Sequence, residues 1–284
     1  MRRFIFMLTC FLILSLSSFA KRKSDCSRAE IKVSYNYHKK FMRGNTEFVE
    51  MDIPMLLLVN SEKSKFYNKW TEYRDSLDST PSGRAYENEM NRMAAIALVE
   101  KGDMTQMDNI SYKTFMYVFK DYPEQQTMVY DKAGLTEYGV YNEPFSELSW
   151  QIGDSTKTVL GYECVMATTD YHGRKWTVWF APEIPVNDGP WKLCGLPGLI
   201  LEATEPKGHH HFVADGIEQS NQSMYPIYNK DKYERMDRVY MLKNLRNYYD
   251  NSNSIVEAST FGMLDLGPDA KPQTEYDFLE IDYR

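Results

Sequence analysis

Apolar and polar residues alternate with a period of two along much of this chain. Ile31, Val33, Tyr35 and Tyr37 interleave with Lys32, Ser34, Asn36 and His38, the pattern of a strand with one buried and one wet face. The same reasoning predicts strands over 55–59, 114–119, 127–130, 138–141, 158–160, 162–168, 175–181, 199–204 and 210–214. Turn residues separate them: Tyr171-His172-Gly173, Asn187-Asp188-Gly189-Pro190 and Glu205-Pro206-Lys207-Gly208. Short strands at such spacing predict an antiparallel meander.

Two stretches change period. From Tyr86, apolar residues recur at Met90, Met93, Ala94, Ala97 and Leu98, the spacing of one helix face. A second helix is expected over 231–250, with Tyr233, Met236, Tyr240 and Tyr249 among its apolar positions. Residues 61–84 are polar and read as an exposed insertion. The acidic tail after Phe261, broken at Gly267-Pro268 and Lys271-Pro272, reads as surface chain or disorder. The expected fold is one α+β domain over 21–284: mostly antiparallel sheet, a curved meander or half-barrel, with two covering helices.

The N-terminus bears on compartment. Arg2 and Arg3 precede an apolar run over 4–16, and Ser17-Ser18-Phe19-Ala20 offers small residues for cleavage after Ala20. That is the form of a secretory signal peptide, too short to span a membrane. Loss of the leader removes two arginines and shifts the formal charge from −7 to −9. An acidic chain disfavours nucleic acid as a partner. No later segment reaches the length of a transmembrane helix. The expected location is therefore periplasmic or secreted.

The region from Gly161 to Ala214 carries a set of fixed elements: Gly161-Tyr162-Glu163-Cys164, Gly173-Arg174, Trp179, Ile184-Pro185, Gly189-Pro190-Trp191 and Gly195-Leu196-Pro197-Gly198-Leu199-Ile200. This set resembles the GLPGLI family of exported bacterial proteins. The resemblance implies an envelope protein, supplies no catalytic residue, and names no cofactor. Read physically, Pro197-Gly198 suits a type II turn that delivers Leu199, Ile200 and Leu201 into a core.

Candidate chemistry is sparse. On a strand, His209 and His211 would share a face about 7 Å apart, and His172 could complete a three-imidazole site for copper or zinc. The plain alternative is a polar hairpin end. Cys164 and Cys194, on neighbouring strands of an exported chain, are either a disulfide or two buried thiols. Cys194 or His172 would be the centre of a hydrolase, although no nucleophile elbow, His-Glu-x-x-His helix or phosphate loop occurs. Aromatics make up 14% of the chain, and Trp176, Trp179, Phe180 and Trp191 crowd one region. A concave sheet lined by them would take an apolar or peptide ligand. The sequence thus favours a non-enzymatic envelope carrier or chaperone, serving such a ligand or a partner protein. Metal binding and hydrolysis are its rivals.

Overall fold

The computed structural model describes residues 28–43, 47–101, 114–224, 227–252, 254 and 277–283. The leader, Cys26 and the part of the tail up to residue 276 lie outside them. Twelve strands form one open sheet. They are β1 (Ile31–Arg43), β2 (Glu47–Val59), β3 (Lys63–Asn68), β4 (Tyr117–Asp121), β5 (Gln126–Lys132) and β6 (Tyr138–Pro144). The others are β7 (Gln151–Val159), β8 (Tyr162–Tyr171), β9 (Arg174–Ala181), β10 (Leu199–Thr204), β11 (His210–Gln219) and β12 (Tyr233–Arg235). Their spatial order is β12-β6-β5-β4-β3-β2-β1-β11-β10-β9-β8-β7. Every pair is antiparallel except β12 with β6. Among the described residues three α-helices accompany the sheet: α1 (Lys69–Asp78), α2 (Pro81–Lys101) and α3 (Arg238–Asp250). The expected α+β, mostly antiparallel fold is what forms. No helix among the described residues is long and apolar enough to cross a membrane.

The sheet curls strongly. β6 and β8 stand nine places apart in strand order, which in a flat sheet would separate them by about 43 Å at ~4.8 Å per strand. Yet Tyr171 on β8 donates a 2.7 Å hydrogen bond to Glu143 on β6. The curl brings the two ends of the sheet over one face, and residues from eleven strands share a single core there with Ile184, Trp191, Leu193 and Leu196 of the 182–198 loop. A smaller core on the other face joins Leu58, Tyr67, Tyr117 and Tyr130 to Met224, Ile227 and Tyr233.

Three expectations about elements are corrected. Residues 61–84 are not an exposed insertion: Lys63–Asn68 is an interior strand, buried from Ser64 onward. Its lysines disguise it, because Lys65 is fully buried, pairing with Glu72 and lying over the rings of Tyr67 and Tyr117. Asn68 then caps α1, its side chain accepting from Trp70 N (2.9 Å) and Thr71 N (3.0 Å).

The helix expected from 231 begins at Arg238, after Asp237, whose side chain accepts from Tyr240 N at 2.9 Å. Tyr233 is instead held in β12, its ring edge-on to those of Tyr130 and Tyr138. The end of the tail is neither loose nor superficial. Phe278, Glu280 and Tyr283 are buried, and Ile281 N donates to His172 O at 3.0 Å.

Candidate functional site

The 182–198 loop occupies the face where the sheet ends meet. Its anchor is Asp188, which with Lys120 of β4 forms an ion pair whose two side chains are completely buried. Lys120 also donates to Gly189 O at 2.9 Å. Asp188 accepts from Tyr122 OH (2.5 Å) and Gly189 N (2.6 Å). Asp188 O accepts from Ile200 N at 2.9 Å, so one residue fixes both the loop and the start of β10. In the hexapeptide, Gly198 N donates to Leu196 O at 2.8 Å across Pro197, a three-residue γ-turn rather than the expected type II turn. Gly195, at φ 89°, takes the positive-φ role in its place. Gly198 is required for space: a Cβ there would lie 2.3 Å from Ala181 O.

This loop fills the place expected for a ligand. Trp176, Phe180 and Trp191 are core residues at 2% exposure or less. Trp176 packs on Trp191 with ring centroids 5.4 Å apart. So deeply buried, they present almost no surface to a ligand. Trp179 faces the opposite way and is half-buried, with Lys157 Nζ 4.6 Å from its ring. The aromatic ligand seat is corrected for a physical reason: the curled sheet buries its aromatics against the chain's own loop.

Beside the loop, a buried polar network lies at the seam between the sheet ends. Lys192 Nζ donates to Glu143 Oε1 (2.8 Å) and Glu280 Oε1 (2.6 Å), and lies 4.8 Å from the centre of the Tyr141 ring. His172 stands at the β8–β9 turn, with φ 51° followed by Gly173 at φ 80°. Its Nδ1 donates to Asp282 Oδ2 (3.2 Å), and its Nε2 lies 3.2 Å from Glu143 Oε1 and 3.4 Å from Lys192 Nζ. Arg238, at the start of α3, donates to Glu280 (2.7 Å) and by two bonds to Asp282 (2.8 and 2.9 Å). Burial by itself would raise the Glu143 carboxyl, but the Lys192 ammonium and His172 outweigh it and hold it down to about 2. Glu143 Oε2 is buried and has no hydrogen-bond partner among the described residues.

The structure separates the three histidines proposed as one metal site. His172 belongs to the seam. His209 Nδ1 donates to Asp277 Oδ2 at 2.6 Å, and His211 Nε2 to Glu202 Oε1 at 3.0 Å. Groups with metal-ligand geometry combine His172 with Glu143 and Glu147, or with Glu280 and Asp282; neither includes His209 or His211. His210, between them, is the buried one. Tyr37 OH lies 2.7 Å from its Nδ1, and burial drives its pKa well below the usual imidazole range. Arg174 is buried and binds Asp277 together with Leu279 O (3.0 Å). No local pattern marks these partners, because they come from the last described residues of the chain.

Cys164 and Cys194 are buried free thiols, which corrects the disulfide. Burial pushes the Cys194 thiol up to about 12. It is therefore protonated at neutral pH and unsuited to nucleophilic attack.

A cavity of about 440 Å³ opens instead on the opposite face, over β4, β5 and β6. Phe119, Met128, Tyr130 and Ile227 give it an apolar floor and wall, while Lys63, Glu124, Asn142 and Lys230 bring polar groups to it. Its volume falls within the range of small-molecule sites. The sequence missed it because Ile227 and Lys230 come from irregular chain between β11 and β12.

A family model described as "Protein of unknown function (Porph_ging)" matches residues 171–202, the stretch from the end of β8 through the anchored loop into β10. No curated protein matches the sequence. Two solved structures of PNGF-II, in C2 and P21 space groups, are similar to this chain at 12% identity, with TM-scores of 0.46 and 0.48. The similarity covers 75% and 78% of this chain but 33% and 34% of theirs, so the chain spans about a third of their length.

Proposed function

We propose that this chain is an exported, non-enzymatic binding protein that carries a small ligand with an apolar body and a polar end in the β4–β5–β6 cavity. The cavity is the observation that carries the reading: an apolar floor with a few polar groups is the form of a site that selects by shape and orients by polar contact. The leader pattern of residues 1–20 supports export. The resemblance of residues 161–214 to the GLPGLI family supports an envelope role. The buried, protonated state of Cys194 weighs against a thiol hydrolase.

Met128 is half-buried in the cavity lining, so Met128→Trp fills the space without disturbing either ion network. Native mass spectrometry of the mature protein, purified from its host envelope, is expected to show a bound mass of several hundred daltons that Met128→Trp loses. The neutral fluorophore N-phenyl-1-naphthylamine should bind the wild type and not the variant. A clean apo mass together with equal fluorophore binding by both proteins would refute the carrier reading.

A further inference from the structure

We propose that Glu143, Glu147 and His172 form a site for a divalent transition cation at the seam of the curled sheet. One carboxylate oxygen from each glutamate and one ring nitrogen of His172 lie within 4.8 Å of one another, close enough to bind one ion. Glu147 ends the short 3-10 turn Phe145–Glu147 that follows β6, and it is exposed. The site therefore has a buried side and an open side.

Two further observations support a cation there. The first is the unpaired oxygen of Glu143. Its Oε1 already receives Lys192 at 2.8 Å and Tyr171 OH at 2.7 Å, whereas Oε2 is buried with no partner among the described residues. A carboxylate oxygen left bare in the interior is costly unless something occupies it. The second is the setting of His172. Its Nδ1 lies 3.2 Å from Asp282 Oδ2, which two bonds from Arg238 fix in turn, and its Nε2 lies 3.2 Å from Glu143 Oε1. A carboxylate holding one ring nitrogen while the other faces the ligand set is the usual support of a metal-bound imidazole.

One imidazole and two carboxylates suit Zn²⁺ or Mn²⁺. The assignment is independent of the cavity on the other face and involves neither His209 nor His211.

The test uses the whole mature protein, stripped with chelator and titrated with ZnCl₂ and with MnCl₂ by calorimetry, alongside thermal melts. One ion should bind per chain and raise the melting temperature. Glu147→Gln changes only an exposed side chain, so it should melt like the stripped wild type yet bind the ion at least tenfold more weakly. His209→Ala/His211→Ala should bind normally. Absence of binding by the wild type overturns the assignment. So does binding that Glu147→Gln retains in full, or that the double histidine variant loses.

Discussion

At the scale of single residues, buried charge distinguishes this protein. Lys65, Lys120 and Lys192 each have a fully buried ammonium group; Lys65 is matched by Glu72 from the following helix, and Lys120 and Lys192 by carboxylates from distant parts of the chain. Sequence periodicity places lysines on wet faces, because the carboxylate that makes burial tolerable is invisible until the fold supplies it. Lys120 and Asp188 offer the cleanest test, since both side chains are at 0% exposure. Asp188→Ala and Lys120→Met should each cost about 3–5 kcal/mol in urea unfolding, the usual penalty for orphaning one member of a buried pair. A cost below ~1 kcal/mol for either would show that the pair does not hold the loop.

At the scale of elements, the 182–198 loop matters more than any single strand. Its hexapeptide was legible in the sequence as a tight reversal leading into a buried strand, and Leu199, Ile200 and Leu201 are fully buried as expected. The turn type was not legible, because it depends on how closely Gly198 approaches β9. That contact can be separated from glycine's conformational freedom. A Cβ at Gly198 would meet backbone, with Ala181 O at 2.3 Å and Pro182 Cα at 2.9 Å. Gly161, in the β7–β8 turn at φ 84°, has nothing within 4 Å of such an atom. Gly161→Ala should therefore cost about 1–2 kcal/mol from backbone conformation alone. Gly198→Ala should cost more than that and lower the melting temperature further. Equal melting temperatures for the two variants would remove the steric role of Gly198.

At the scale of the whole molecule, the curl of the sheet and the last described residues act together. Asp277, Glu280 and Asp282 come from chain that reads as a dispensable acidic tail, yet they satisfy Arg174, Lys192 and Arg238. Removing residues 277–284 would leave Arg174, Lys192 and Arg238, all largely buried, short of carboxylates. A fall in melting temperature of about 10 °C or more is expected, since ~1 kcal/mol corresponds to a few degrees in a domain of this size. A truncated protein melting within ~2 °C of the full chain would show that the segment does not clamp the seam.

The sequence by itself determined the elements whose signal is local. Alternation of side chains marked most of the strands, helical spacing marked α2, and turn residues set the hairpins between β8 and β9 and between β10 and β11. Those patterns suffice for the fold class, because burial of one face is a property of neighbouring residues. Only the tertiary structure decided which residues meet. It placed the tryptophans against the chain's own loop, parted His172 from His209 and His211, and kept Cys164 and Cys194 as separate thiols. It also closed the seam with residues 277–283. Each of these outcomes depends on how far the sheet curls, and that is the sum of many small twists and contacts with no signature in any short stretch of sequence.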